Sequence, residues 1–137
     1  MTFAGINYLA VLAAAITGFV VGMAWYGTLG EKWMAALGKS KDELLPDGKP
    51  PYATMAASFV CELVMAWILA GLLGHIGAVT VGGGIISAFF VWFGFVATTQ
   101  LVNHRYGRFP LSLTLIDSGH WLAVLVAMGI VIGLFGA

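Results

Sequence analysis

Residues 111–135 read LSLTLIDSGHWLAVLVAMGIVIGLF, an apolar run with no Lys or Arg and with Asp117 and His120 three residues apart inside it. A transmembrane helix needs about 20 mostly apolar residues, and this run exceeds that. Three more stretches of the same kind lie at about 6–27, 53–74 and 80–103. Each is long enough to cross a hydrocarbon core of about 30 Å with modest tilt. The first lacks a preceding Lys or Arg and is too long for the apolar part of a cleaved signal peptide.

Composition agrees with the pattern. Of 137 residues, 61% are hydrophobic and 9% are charged, whereas a soluble domain is about one-quarter charged. So short a chain lacks the polar surface to cover that apolar inventory in water. Six Lys and Arg balance six Asp and Glu, which leaves no basic field for nucleic acid. The single cysteine, Cys61, excludes an internal disulfide framework. The expectation is an all-α membrane protein: one transmembrane domain over 1–137, a four-transmembrane-helix bundle with a short interfacial helix between the first and second spans. Its first partner is the lipid bilayer.

The connecting segments set the topology. Lys32, Lys39, Lys41 and Lys49 fall in loop 28–52, and Arg105 and Arg108 in loop 104–110. In a four-span chain these loops share a side, which the positive-inside rule makes cytoplasmic, with both termini outside. Trp25, Tyr26, Trp33, Tyr52, Tyr106 and Phe109 cluster near that face as an aromatic belt would. Leu29, Trp33 and Leu37 recur every four residues, which suits a short interfacial helix ended by Gly38. Ser40 and Glu43 have capping-box spacing. Pro46-Asp47-Gly48 and Pro50-Pro51 break the chain before the second span. The short 75–79 turn makes the second and third spans antiparallel neighbours.

Several segments, in order, carry a resemblance. They are Asn7-Tyr8-Leu9-Ala10-Val11, Trp25-Tyr26-Gly27, Gly30-Glu31-Lys32-Trp33-Met34, Gly94-Phe95-Val96-Ala97-Thr98-Thr99 and Leu115-Ile116-Asp117-Ser118-Gly119-His120-Trp121. Over nearly the whole chain these resemble the small bacterial membrane-protein family called domain of unknown function 1761. The resemblance implies a multi-pass protein of the bacterial inner (cytoplasmic) membrane with four spans. It supplies no activity, cofactor or catalytic residue.

Small residues form stripes. Ala10, Ala14, Gly18 and Gly22 share one face of the first span. Thr54, Ser58, Glu62, Ala66, Ala70 and Gly74 share one face of the second. Gly119, Ala123 and Ala127, and separately Gly129 and Gly133, recur in the fourth. Such stripes let helix backbones approach closely. Packing inside one chain is the first explanation for at least two of them, and the number of stripes also suggests a homo-oligomer.

The most informative feature is a polar layer. By helix rise, Glu62 lies roughly 14 Å from the cytoplasmic face, Asp117 about 10 Å and His120 about 14 Å. Thr17, Thr98 and Gln100, with Thr99, add polar atoms in the same half, and the outer half is nearly all apolar. Ionisable groups at such depth are costly and are functional candidates by default. Glu62 could be a protonated acid donating one hydrogen bond, or a proton carrier or cation ligand. Asp117 and His120 share a helix face and could exchange a proton, hold a cation or satisfy each other. His75 and His104, at loop ends, read as solvated or interfacial. Asp-x-x-His with one Glu is about half of a carboxylate-bridged di-metal set, so no metal or other cofactor is expected. Gly82-Gly83-Gly84 lacks the Lys-Ser/Thr of a phosphate loop. Trp67 and Trp92 are deep enough to pack between helices.

Three function classes follow. One is a transporter or channel element for a proton or small cation, lined by Glu62, Asp117, His120, Thr17, Thr98 and Gln100. The second is a non-catalytic structural or partner-binding bundle whose polar layer fixes helix register. An intramembrane enzyme comes last, because no catalytic pattern is present.

Overall fold

A computed structural model describes residues 5–136. Expectations for residues 1–4 and 137, at the two limits of the chain, fall outside the described residues. The order of elements is α1 (Tyr8–Leu37), α2 (Lys41–Leu44), α3 (Tyr52–His75), α4 (Val81–Val91), a π-helical segment (Trp92–Ala97), α5 (Thr98–Tyr106) and α6 (Leu111–Phe135). α4, the π segment and α5 run on as one apolar helix, Val81–Tyr106, so four helices are long and apolar enough to span a membrane. The chain is a multi-pass membrane bundle.

Local chemistry sets the helix ends. The Asn7 side chain accepts from the backbone N–H of Leu9 and Ala10 and starts α1. Gly38, at φ 77°, ends it, a conformation that favours glycine. Ser40 and Glu43 form the reciprocal capping box of α2. Pro51 and Pro110 precede α3 and α6, and the Thr80 hydroxyl caps α4 through Gly83 N–H at 2.9 Å. The expected interfacial helix is divided between two elements. Leu29, Trp33 and Leu37 belong to α1 itself, a continuous helix of 30 residues, and the separate short helix is α2. Nothing between Gly27 and Leu37 breaks a helix strongly enough to end α1, and Gly27 and Gly30 lie inside it.

α6 is the centre of the bundle. It packs antiparallel on α1 along one side and on α4 and the π segment along another, and α3 packs on α1. The core is Val11, Ala14 and Ala15 of α1, Ala66, Leu69 and Leu73 of α3, Ala88 of α4, and Val124, Leu125, Met128 and Ile132 of α6, with others. The loops after α1 and after α5 share one end of the bundle with all six Lys and Arg, hereafter the basic end.

Most of the small-residue stripes are used inside the chain. Gly18 and Gly22 face α6, Gly119 lies under the Trp25 ring, and Gly84 and Gly129 bring the backbones of α4 and α6 into contact. At the basic end the α3 stripe leaves the core, with Thr54 and Ser58 exposed. Phe90, Phe93 and Phe95 lie on the outer surface, where lipid would cover them.

The π segment lies opposite the polar layer. Within and after it, the Thr98 hydroxyl donates to Gly94 O and the Thr99 hydroxyl to Phe95 O and Val96 O. Such back-bonding competes with the helical ladder, and single-turn π insertions recur at functional sites.

Candidate functional site

The polar layer is built from α1, α5 and α6 with one carboxyl from α3. Asp117 is its hub. Its Oδ1 accepts the Tyr26 hydroxyl at 2.6 Å, and its Oδ2 lies 3.9 Å from His104 Nε2, a distance for an ion pair when the imidazole is protonated. His104 Nδ1 pairs with the buried Thr114 hydroxyl at 2.8 Å. Ser118 donates to Gln100 Oε1 at 2.8 Å. Two indoles grip α6 from different helices: Trp25 donates to Ile116 O at 3.0 Å and Trp92 to Ser118 O at 2.7 Å. Each indole thus adds a second donor to a carbonyl in the interior of α6.

Two ionisable groups lie deeper. Glu62 is 3% exposed and His120 7% exposed. Glu62 Oε1 and His120 Nδ1 are buried with no hydrogen-bond partner among the described residues. Both side chains occupy space left by glycines of α1. A Cβ on Gly18 would lie 3.2 Å from Glu62 Oε1, and one on Gly22 would lie 2.9 Å from His120 Nε2. Those glycines are one turn apart, about 6 Å along the helix. The Tyr26 ring packs on His120 with centroids 4.8 Å apart, and Trp121 packs on the other edge at 4.4 Å. Ionisable groups therefore follow one another inward: His104, Asp117, Tyr26, His120, Glu62.

The sequence candidates divide. Asp117, Gln100, His120 and Glu62 lie in this interior. Thr17 donates its hydroxyl to Ala13 O of its own helix, and Thr98 is exposed with its hydroxyl on Gly94 O, so neither offers a free donor inward. Asp117 and His120 do not satisfy each other. The hydrogen bond of Asp117 comes from Tyr26 and its ion-pair partner is His104, while His120 turns toward Gly22. Of the two expectations for His104, solvated or interfacial, the solvated one does not hold, because the tight 107–110 turn tucks its ring beside Phe109 and under α6. Trp25 and Tyr26 turn into the bundle instead of forming a belt. Trp67 is 39% exposed on α3, whereas Trp92 turns its indole N–H onto α6. No group of three or more His, Cys, Asp or Glu able to hold a metal ion occurs among the described residues.

Residues 9–133 match the family model described as Protein of unknown function (DUF1761). The chain belongs to this family. No curated protein and no solved structure matches it. In this DUF1761 chain the Trp-Tyr pair and the Asp-Ser-Gly-His segment, which carried the resemblance, meet across the α1–α6 interface.

The hub has a measurable consequence. Asp117→Leu removes the acceptor of the Tyr26 hydroxyl and the partner of His104, leaving polar atoms unpaired in a low-dielectric site. A loss of about 1–3 kcal/mol is expected, read as a lower unfolding temperature in detergent. Tyr26→Phe combined with Asp117→Leu should cost less than the sum of the two single changes. Strict additivity would mean that the 2.6 Å contact carries no coupling.

Proposed function

We propose that the chain moves protons across a membrane, with Glu62 as the proton-carrying carboxyl and His120, Tyr26, Asp117 and His104 as its route to the basic end. The observation that supports this reading is the unpartnered Glu62 Oε1 at 3% exposure. A carboxyl kept for helix register would have its atoms paired, as buried polar groups in structures overwhelmingly are. An unpaired one inside a membrane bundle is costly, and its use is to accept and release a proton. The route lies within one chain and needs no second copy. All cationic residues lie at one end, and the positive-inside rule makes that end cytoplasmic. The membrane is then the cytoplasmic membrane of a bacterium.

A second reading is a structural bundle whose polar layer only holds the helices in register. The interhelical bonds of Trp25, Tyr26, Trp92 and Ser118 favour it. Proton flux separates the two. Purified protein in liposomes loaded with a pH-sensitive dye should acidify the lumen under an imposed potassium diffusion potential, and Glu62→Gln should not. Flux at the protein-free level in the unmodified chain, or full flux in Glu62→Gln, would reject the proton reading.

A further inference from the structure

A cavity of about 730 Å³ opens at the end of the bundle opposite the basic loops, among α1, α3, α6 and the turn before α4. Asn7, His75 and Thr80 supply side-chain polarity at its wall, glycine backbones supply more, and among the described residues that line it none is Asp, Glu, Lys or Arg. Its floor is Ala10, Ala70 and Ile132.

Below the floor the same faces of the same three helices continue at four-residue spacing. One turn down are Ala14, Ala66 and Met128, each 0% exposed. One turn further are Gly18, Glu62 and Val124, in mutual contact around the space where Gly18 has no Cβ. The floor is therefore about 12 Å from the Glu62 level, with a single intervening layer about 6 Å deep. Two of the three side chains in that layer are methyl groups. Met128 fills the rest, and its Cε lies 2.7 Å from the point where a Gly18 Cβ would stand, beside Glu62 Oε1 at 3.2 Å from that point. Methionine is unbranched, with three rotatable bonds, and re-packs more readily than any other apolar side chain of its size.

We propose that this cavity is the second mouth of the path, a water-filled vestibule that delivers protons to Glu62, and that Met128 is the movable seal between them. The inference rests on the proton-carrying role given to Glu62. The species admitted is a proton carried by water. A hydronium ion reaching Glu62 past a displaced Met128 gives its proton to the carboxylate, leaving neutral water and a carboxylic acid. A metal ion is not favoured on this route, because no described residue lining the vestibule is Asp or Glu and the side chains of the seal layer offer no oxygen.

Two measurements in the liposome assay test the proposal. Met128→Ala shortens the seal and should raise flux by about tenfold or more, and adding Glu62→Gln should abolish that increase. Independently, Gly74→Cys in a Cys61→Ala background places a thiol in the vestibule wall, where an added Cβ meets nothing within 4 Å. Coupling a bulky membrane-impermeant maleimide to it should block flux relative to the same protein unlabelled. Glu62-dependent flux that ignores both the label and Met128→Ala would overturn the vestibule and seal while leaving the role of Glu62 intact. If Met128→Ala fails to fold, the block or its absence decides. No flux in any variant would overturn both readings together.

Discussion

Gly129→Val is expected to part the third span from α6 and to be among the most destabilising single changes in the bundle. A Cβ on Gly129 would collide with the backbone O, C and Cα of Gly84, and the reverse holds for Gly84. The obstacle is main chain on both sides, so no rotamer change relieves it and the helices must move apart. Inserting carbons into packed cores typically costs about 1–3 kcal/mol where side chains can shift. Here about 3 kcal/mol or more is expected for valine, and part of that for alanine. Gly133 meets the backbone of Thr80 and Val81 in the same way, so Gly133→Ala should behave alike. The comparison is Gly27→Ala in α1, where an added Cβ meets nothing within 4 Å. Alanine there should be neutral or stabilising by roughly 0.5–1 kcal/mol through helix propensity. Thermal unfolding in detergent, followed by helical circular dichroism, reads all four. Equal effects at Gly27 and Gly129 would refute the close backbone approach.

The contrast between those glycines also marks how far the sequence could be read. Span number and the antiparallel order follow from hydropathy and from the short connections, because lipid tolerates few other solutions. Small-residue stripes announced close packing, and the depth of Glu62, Asp117 and His120 announced a polar layer. Pairing within that layer was not legible. Asp117 and His120 share a helix face by spacing, but which side chain each meets depends on the crossing of α6 with its neighbours. That crossing brings Tyr26 and His104 to Asp117 and Gly22 to His120. Tyr26 offered a signal that the belt reading obscured: it lies at the same end of its span as Asp117 does of the fourth, so antiparallel helices can bring them level. The π segment had no such signal, since Trp92–Ala97 reads as an ordinary apolar helix. α1 ran past its expected end because lipid thickness sets how much of a helix is buried and does not stop it from continuing into water.

Substitution of Glu62 should separate function from stability. In Glu62→Gln the side chain keeps its length and shape, and the pocket formed by Gly18, Val124 and Met128 accepts it. Unfolding temperature should change little, within about 1 kcal/mol, yet proton flux should fall to the protein-free level because an amide cannot carry the proton. Glu62→Met goes further. It removes an oxygen that has no partner and replaces it with an unbranched apolar chain of similar length. Truncating a paired polar group destabilises, but replacing an unpaired buried one can stabilise, here by about 1–3 kcal/mol. The expected outcome is a protein that is more heat-resistant and inactive, the signature of a costly group retained for function. The structural reading expects the opposite sign, because a carboxyl that holds helices together must weaken the bundle when it becomes methionine. A lower unfolding temperature for Glu62→Met, with Glu62→Gln close to the unmodified chain in both stability and flux, would make Glu62 a structural residue and remove the basis for proton carriage.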